Sequence, residues 1–330
     1  MKIFILTEGG KNKGMGHISR CLSLYQAFES KGYSSQLIVS GDSSILMTLQ
    51  GTDYLRLEWI NKPSEILSIV NKADIIIIDS YYCPLDLYHK FANRCKKAIY
   101  IDDNIRIEYP EGIVINGVMC GEKLNYPKTK NITYLLGQDY AFLRKDFWDV
   151  PIRKINKEIN SIMIMVGSND INGLSFRILK SIIAKFPKAE KTIVLYNGET
   201  PYLEYFNDNS TVYFDLTSSE MKAIMIKSDI AISAAGQTTY ELCRVGTPFV
   251  AINTADNQSY SINCFKNNGL IRQVIQNNDS ELKKKILLEL DKLSDYHLRK
   301  AISQKMQKSI TGKGPLTVIE YLLQNFHKNS

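Results

Sequence analysis

The sequence predicts an α/β fold with two doubly wound, Rossmann-like domains that face each other across a cleft. Three observations support this fold class. Short apolar runs alternate with helical patterns along most of the chain, a second such set follows a polar span, and 330 residues are enough for two domains of ordinary size. Strands that alternate with helices favour parallel sheets with right-handed connections. The ligand crevice is then expected at the carboxyl ends of the strands, between the domains.

The first domain is predicted over residues 1–150. Its most telling run is Ile75–Ile78, four consecutive isoleucines that fit a central strand covered on both faces. The remaining strands are predicted at Ile3–Leu6, Ser35–Val39, Ala98–Ile101 and Gly112–Ile115, and the helices at 18–31, 44–50, 63–71 and 84–95.

The second domain is predicted over residues 151–330. A polar, charged span, Val150–Glu158, places the boundary within 148–158. The final amphipathic segment, Leu316–Phe326, is expected to pack back on the first domain. The strands are predicted at Ser161–Val166, Lys191–Leu195, Thr211–Phe214, Ile230–Ser233 and Phe249–Ile252, and the helices at 172–185, 218–227, 238–245, 257–268 and 280–308.

Charge and composition exclude several classes of protein. The net charge of +7 lies mostly in residues 281–330, where ten basic residues face five acidic ones. No aromatic–basic interleaving accompanies this excess, so it indicates a solvated helix face and no nucleic-acid partner. No apolar run approaches the roughly 18 residues of a membrane span, and the N-terminus is too short in apolar residues for a signal peptide.

The cysteines predict a reducing compartment and no metal site. Six cysteines show no CxxC pairing and no ligand spacing with the four histidines. Reduced thiols are the favoured state of such a set in the cytosol. We therefore expect a cytoplasmic protein that needs no metal or cofactor. Separately, we expect a monomer rather than an oligomer.

A glycine-rich stretch after the first strand is the first candidate for chemistry. Gly14 and Gly16 precede a helical pattern that opens near His17 and Arg20. Glycines let a ligand approach the backbone, free N–H groups point out of a helix N-terminus, and histidine exchanges a proton near neutral pH. Taken alone, the stretch is equally well explained as a strand-to-helix turn with a surface histidine.

Polar residues follow two predicted strands of the first domain. Asp79-Ser80-Tyr81-Tyr82 follows the isoleucine run, and Asp102-Asp103-Asn104 follows Ala98–Ile101. Residues just past parallel strands line the crevice, which makes these candidates for substrate contact. The alternative is that Asp79 and Asp102 cap loops or helix starts, a common use of aspartate. A two-aspartate metal site lacks the further ligands that Mg²⁺ or Ca²⁺ needs.

The strongest pattern for a nucleotide lies in the second domain. Small residues end the strand at Ile230–Ser233, and a helix is predicted to start near Thr238 with Glu241 three residues later, which fits a capping box. The N–H groups of Gly236, Gln237 and Thr238 would hold a diphosphate. Glu241 is either the cap alone or the acid that binds the ribose hydroxyls. The turn at Gly167-Ser168 and the loop reaching Asn257-Gln258 adjoin the same edge.

Several ordered motifs resemble those of the UDP-sugar hydrolase family of pseudaminic acid biosynthesis, which is related to the murein glycosyltransferase and has the GT-B architecture. Gly14-Met15-Gly16-His17 with Arg20-Cys21-Leu22 resembles its GxGHxxRCL signature. Further matches are Asp79-Ser80-Tyr81 to DxY, Ile101-Asp102-Asp103 to IDD, Gly137–Arg144 to GxxYAxLR, and Ala234–Glu241, Gly246-Thr247-Pro248 and Asn257-Gln258 to the nucleotide-binding half.

The resemblance implies a metal-independent, inverting hydrolysis of a UDP-linked diacetamido-trideoxy hexose to UDP and free sugar. By resemblance, His17 is the base that activates water at the anomeric carbon, and Tyr81 and Asn257 complete the catalytic set. The same resemblance and the turn patterns predict that substrate is bound by Gly14, Gly16, Arg20, Gly167, Ser168, Gly236, Gln237, Thr238, Glu241 and Gln258.

The sequence departs from the family motifs at two positions, and two alternative functions remain open. Ser80 replaces a histidine that is common in the DxY motif, and Ser168 stands where the family usually has a second glycine. A GT-B glycosyltransferase that moves a sugar from a nucleotide donor to an acceptor would need the same second domain. A non-catalytic nucleotide-sugar-binding protein is the third interpretation, and the joint presence of His17, Tyr81 and Asn257 argues against it.

Overall fold

The computed structural model of the chain describes residues 1–11, 13–167, 173–196 and 209–327. The chain divides into two compact units: residues 1–145 together with 312–330 form the first, and residues 146–311 form the second. The chain passes between the units at Lys145–Asp146, and the predicted boundary region 148–158 lies within the second unit.

The first unit contains a seven-stranded parallel sheet in the order β3-β2-β1-β4-β5-β6-β7. Strand order reverses between β1 and β4, and ligands of doubly wound folds bind beside such a switch point. The strands are β1 (Ile3–Gly9), β2 (Gln36–Gly41), β3 (Tyr54–Arg56), β4 (Ala73–Asp79), β5 (Cys95–Ile101), β6 (Gly112–Asn116) and β7 (Ile132–Leu136). The helices are α1 (Gly16–Ser30), α2 (Pro63–Ile69), α3 (Leu85–Ala92) and the C-terminal α10 (Gly314–His327).

Buried aliphatic and aromatic side chains from both faces of this sheet form the core of the first unit. The four isoleucines of β4 are at most 1% exposed, as expected for a central strand. Helix α10 packs against α1, where Lys31 Nζ lies 2.8 Å from Glu320 Oε1. A Cβ on Gly314 would lie only 2.2 Å from the Ala141 carbonyl oxygen, so the close start of α10 requires glycine.

The second unit contains a six-stranded parallel sheet in the order β10-β9-β8-β11-β12-β13, with its switch point between β8 and β11. The strands are β8 (Ser161–Met165), β9 (Glu190–Leu195), β10 (Ser210–Phe214), β11 (Ile230–Ala234), β12 (Phe249–Asn253) and β13 (Val274–Gln276). The helices are α4 (Leu174–Ile182), α5 (Ser218–Lys227), α6 (Thr238–Val245), α7 (Ser259–Asn267), α8 (Leu282–Leu293) and α9 (Tyr296–Ser309).

Both sheets confirm the predicted doubly wound class, but some elements differ from the sequence prediction. Strands β3, β7 and β13 were not predicted. The helix expected at 44–50 is a short 3₁₀ turn at Ser43–Ile45 whose start is capped by Asp42. The helix expected at 280–308 is two helices, because the Asp295 side chain accepts the Leu298 N–H at 2.8 Å and starts α9 anew.

Candidate active site at the carboxyl edge of the first sheet

A tight glycine turn connects β1 to α1 at the switch point of the first sheet. Gly10 and Gly14 exchange backbone hydrogen bonds of 3.2 and 2.8 Å. Gly14 has a φ of +74°, a left-handed conformation that favours glycine over other residues. The turn brings Gly16 and His17 into the first turn of α1. A Cβ on Gly16 would have no described heavy atom within 4 Å, so the space beside this glycine is open.

His17 is paired with Asp79, the last residue of β4. Its Nδ1 lies 2.6 Å from Asp79 Oδ1, and the two side chains are 9% and 1% exposed. An ionised carboxylate only accepts hydrogen bonds, so Nδ1 carries the proton in this pair. A neutral imidazole held in this way presents Nε2 as an unprotonated base. His17 is therefore a buried, oriented imidazole and not a surface histidine.

Arg20 lies one helical turn after His17 and clamps the same carboxylate. Its Nε donates to Asp79 Oδ2 at 2.8 Å, and its Nη2 donates to Asp79 Oδ1 at 2.9 Å. Nη2 is also 2.8 Å from His17 Nδ1, but two N–H donors cannot bond each other, so Asp79 is the acceptor of both. The Nη1 atom donates to Asp103 Oδ2 at 3.1 Å. The guanidinium thus joins two carboxylates, and its predicted role in substrate binding stays a prediction.

The charges of this cluster keep Asp79 ionised. Burial raises the pKa of the Asp79 carboxyl, but the positive charge of Arg20, followed by the electrostatic interaction with His17 and by hydrogen bonds from both side chains, outweighs burial and leaves the pKa below its usual value. Burial likewise lowers the pKa of Arg20, while Asp79 and Asp103 more than offset this and raise it well above its usual value. The alternative interpretation of Asp79 as a simple cap does not account for these partners.

Tyr81 stands beside the imidazole on the loop after β4. Its ring meets the His17 ring edge-on, with centroids 4.5 Å apart and an interplanar angle of 83°. Its hydroxyl donates to Asp103 Oδ2 at 2.5 Å. His17, Arg20 and Tyr81, which the sequence singled out separately, are therefore brought together by Asp79 and Asp103.

Glu8 is a residue of this site that sequence reasoning missed. It is the last residue but one of β1, a strand that is buried throughout, and is 0% exposed. Its Oε1 accepts the Ser80 hydroxyl at 2.6 Å and the Tyr81 backbone N–H at 2.9 Å, while Oε2 lies 2.9 Å from Lys13 Nζ. A carboxylate at the end of a predicted parallel strand was the available signal. Glu8 joins the loop that carries Tyr81 to the loop that precedes His17.

Two neighbours of the cluster have structural roles. Ser80, which replaces the expected histidine, is 2% exposed, and its hydroxyl accepts the Cys83 N–H at 2.9 Å. Its hydroxyl is thus used inside the protein. Asp102 accepts the Tyr126 hydroxyl at 2.7 Å and the Arg106 N–H at 3.4 Å, so it organises the loop after β5, in agreement with the interpretation as a cap.

The second unit places its candidate residues at the carboxyl ends of β11 and β12. Helix α6 begins at Thr238, and Gln237 is the residue before it. The turn at Gly236 and the loop that carries Gln258 lie close together, since a Cβ on Gly236 would be 3.7 Å from Gln258 Nε2. Gln258 Oε1 accepts the Thr254 N–H at 3.2 Å, and Asn257 lies exposed on the same turn.

Two expectations about this turn need correction. Thr238 is the first residue of α6 and not its N-cap, and no side chain caps this helix, so the predicted capping box with Glu241 is not formed. Glu241 is 4% exposed. The Gly236 N–H donates to the Ala234 carbonyl at 2.9 Å, so this amide is used within the turn. The Thr239 N–H donates to the Gly236 carbonyl at 3.0 Å and the Tyr240 N–H to the Gln237 carbonyl at 3.1 Å, so these two amides of the first turn of α6 are also used within the protein.

Gly167 follows β8 on the other side of the second switch point. It has a φ of +107°, which favours glycine, and a Cβ there would meet no described atom within 4 Å. Ser168, which was predicted to bind substrate beside it, lies outside the described residues.

The described part of the chain contains no group of three or more His, Cys, Asp or Glu side chains that would hold a metal ion. Among its helices, none is both long and apolar enough to cross a membrane.

Comparisons of the sequence find distant relatives, and no family model matches the chain. An uncharacterized protein of Methanocaldococcus jannaschii is 26% identical over 76% of this chain and 55% of its own length. The pseudaminic acid cytidylyltransferase and UDP-2,4-diacetamido-2,4,6-trideoxy-beta-L-altropyranose hydrolase of Helicobacter pylori is 25% identical over 83% of this chain and 48% of its own length. The spore coat polysaccharide biosynthesis protein SpsG of Bacillus subtilis is 21% identical over 98% of both chains. The chain thus spans about half the length of the first two relatives.

Comparisons of the structure cover the whole chain. The spinosyn forosaminyltransferase SpnP has a TM-score of 0.68 over 99% of both chains, at 10% identity. MurG of Acinetobacter baumannii has a TM-score of 0.59 over 98% of this chain and 100% of its own, at 14% identity. The chain has the GT-B glycosyltransferase-like fold. At these identities the GT-B likeness establishes the fold, and the activity has to be argued from the site.

Proposed function

We propose that this GT-B protein hydrolyses a UDP-linked diacetamido-trideoxy hexose to UDP and free sugar, as a step in nonulosonic acid biosynthesis. The observation that carries the proposal is the buried pair of His17 and Asp79 at the switch point of the first sheet, with Nδ1 and Oδ1 2.6 Å apart. A buried imidazole fixed by a carboxylate is suited to take a proton from a nucleophile.

In the proposed reaction water attacks the anomeric carbon. His17 Nε2 takes one proton from the water, whose oxygen bonds to the anomeric carbon while the bond from that carbon to the β-phosphate oxygen breaks. The electron pair leaves with UDP, and attack opposite the leaving group inverts the configuration. Asp79 stabilises the imidazolium that forms, and no metal ion is required for this balance of charge.

Tyr81 has a restricted part in this scheme. Its hydroxyl proton is already donated to Asp103 at 2.5 Å. Toward the substrate the hydroxyl would therefore act as a hydrogen-bond acceptor and not as a proton donor. The open space beside Gly16 provides room for the substrate near the base.

The second unit is proposed to hold the nucleotide. The Thr238 N–H at the start of α6 would stabilise the departing diphosphate, since helix N-termini attract anions. Glu241 would bind the ribose hydroxyls, and Gln237, Gln258 and Asn257 would contact the diphosphate and sugar. These roles rest on the resemblance and on the position of the residues beside the switch point.

The relatives support the substrate class. The Helicobacter pylori relative is named both as a pseudaminic acid cytidylyltransferase and as a hydrolase of a UDP-linked diacetamido-trideoxy sugar, and the Bacillus subtilis relative is named for polysaccharide biosynthesis. We therefore place the protein among enzymes that act on nucleotide sugars. That the sugar is transferred to water, and not to another acceptor, is the more specific part of the proposal.

A glycosyltransferase is the second candidate, and the GT-B fold favours it. The neighbours that span the whole chain include proteins named as glycosyltransferases. The same His17–Asp79 pair would deprotonate an acceptor hydroxyl as readily as water. The two candidates differ only in the nucleophile that reaches the anomeric carbon.

An assay without acceptor separates them. The protein is incubated with UDP-linked diacetamido-trideoxy hexoses, and free sugar and UDP are followed by NMR. The hydrolase proposal predicts equal amounts of both products with no acceptor present. UDP release that requires an added acceptor would assign the protein to the transferases, and no turnover of any of these sugars would overturn the substrate class.

A further inference from the structure

Asp103 is the one acidic member of the His17 cluster that touches neither the imidazole nor a backbone amide among the described hydrogen bonds. Its Oδ2 accepts both the Tyr81 hydroxyl, at 2.5 Å, and Arg20 Nη1, at 3.1 Å. Its side chain is 16% exposed. Its Oδ1 is buried and has no hydrogen-bond partner in the part of the chain that the structure describes. The Asp103 carboxylate thus links Tyr81 to Arg20.

We propose that Asp103 is a positioning residue that fixes Tyr81 and Arg20 against the His17–Asp79 pair. This inference rests on the proposed function and deepens it. It states that a second carboxylate, Asp103, positions the groups around the base His17, including the ring of Tyr81.

Asp103 holds the Tyr81 ring in place beside His17. Tyr81 sits on a loop, and its ring meets His17 edge-on at 4.5 Å. Its backbone N–H donates to Glu8 at 2.9 Å, its carbonyl accepts from Arg106 Nη1 at 3.4 Å, and its hydroxyl donates to Asp103 at 2.5 Å. A phenol whose proton is committed to a charged acceptor keeps one orientation of its remaining lone pair. Asp103 thereby fixes the orientation of the Tyr81 hydroxyl beside His17.

Asp103 also supplies the negative charge that balances a protonated His17. Asp79 and Asp103 are two carboxylates joined by the single guanidinium of Arg20. With a neutral His17, the cluster holds one negative charge in excess, and it becomes neutral when His17 takes a proton. Without Asp103, Arg20 and Asp79 would cancel, and proton uptake by His17 would leave a net positive charge in a poorly solvated place.

The remaining charged or titratable groups on the elements around His17 are few. Burial raises the pKa of Cys21 well above its usual value, so this thiol is neutral. Glu8 and Lys13 form their own ion pair at 2.9 Å. Asp102 is bound to Tyr126, whose pKa burial raises, and to loop amides. The excess negative charge therefore belongs to Asp103.

The test uses Asp103→Asn, which removes the charge at nearly constant volume. In the full chain, kcat for the UDP-sugar is expected to fall about 10- to 100-fold with KM changed less than about threefold. The acid limb of the kcat profile is expected to move to lower pH, because a negative charge beside His17 is removed. Unchanged kcat and an unmoved acid limb would overturn the proposal.

A matched control and a charge-conserving variant separate the positioning role of Asp103 from the effect of its charge. Asp86→Asn makes the same chemical change at an exposed carboxylate on α3 whose partner is Lys90, and it should leave both readouts unmoved. Asp103→Glu keeps the charge but displaces the carboxylate, so the acid limb should stay in place while kcat falls. If Asp103→Asn does not fold, Asp103→Glu carries the test, and an undiminished kcat in it overturns the positioning role.

A measurement on the substrate-free protein keeps this proposal distinct from the proposed function. The ¹⁵N signals of the His17 ring, assigned with a His17→Asn sample, are titrated in the wild type and in Asp103→Asn. The midpoint is expected to move to lower pH in Asp103→Asn and to stay in place in Asp86→Asn. If no UDP-sugar is turned over but the midpoint moves, the function fails and the role of Asp103 stands. An unmoved midpoint overturns that role.

Discussion

Asp79 Oδ1 lies 2.6 Å from His17 Nδ1, and Asp79 is also held by two nitrogens of Arg20, at 2.8 and 2.9 Å. One buried carboxylate thus orients the imidazole and pairs with the guanidinium. Because all three side chains meet at the switch point between β1 and β4, the site depends on the topology of the sheet as much as on the residues themselves.

Replacing His17 with Asn is expected to abolish turnover while UDP binding is nearly retained. The substitution removes the base but keeps a polar side chain of smaller size in the first turn of α1. The rate of UDP-sugar hydrolysis should fall at least about 10²-fold. Calorimetric titration with UDP checks the second half, and a large loss of UDP affinity would make His17 a ligand contact instead of a base.

Asp79→Asn is expected to lower both activity and stability. The amide has one acceptor oxygen in place of two and no charge to stabilise the imidazolium, so kcat should fall about 10²–10⁴-fold. Arg20 would lose its main partner while it stays 15% exposed, and breaking a buried ion pair costs about 3–5 kcal/mol. Urea unfolding and initial rates measure the two effects. Asp86→Asn is the control, and equal losses in that variant would show that position 79 is not special.

Acid should destabilise the wild type more steeply than Asp79→Asn. The pKa of Asp79 is lower in the folded protein than its usual value, because Arg20 and His17 outweigh burial. A depressed pKa contributes stability above the unfolded value of about 3.9 and loses it as pH falls through the folded pKa. Unfolding free energies between about pH 5 and the lowest pH that keeps the chain soluble should converge for the two proteins. A constant difference over this range would contradict the ionised state of Asp79.

Gly16→Ala is expected to leave stability nearly unchanged and to impair turnover. A Cβ at this position meets no described heavy atom within 4 Å, so folding is not obstructed, whereas a substrate in that space would be. Gly9→Ala is the matched contrast, since its Cβ would lie 2.4 Å from Ile18 Cδ1 and should lower the melting temperature. Full activity in folded Gly16→Ala would place the substrate elsewhere.

The sequence predicted the class of the fold because long buried strands leave a strong signal. The isoleucines of β4 and the alternation with helices were sufficient for both parallel sheets. Three-residue edge strands such as β3 and β13 carry no periodicity, and pairing with a neighbour is what creates them. The break before α9 was visible in Asp295, yet the apolar pattern on both sides of it continued.

Site residues could be predicted from the sequence where they directly follow a predicted strand. Asp79 and Asp103 were recognised by that rule, but their bonds to His17, Arg20 and Tyr81 join residues about 20 to 80 positions apart and depend on the order of the strands. Glu8 was overlooked because its partners lie on two loops that only the fold brings together. The capping pattern at Thr238 is local, and the helix nevertheless starts at Thr238 itself.

The most direct test of the central claim is hydrolysis in water enriched in ¹⁸O. A base at His17 that activates water toward the anomeric carbon predicts that the label enters the free sugar and that UDP remains unlabelled, with the sugar first released as the inverted anomer. Mass spectrometry of both products and early NMR spectra give the answer. Label in the phosphate of UDP would mean attack at phosphorus and would contradict the role given to the His17–Asp79 pair.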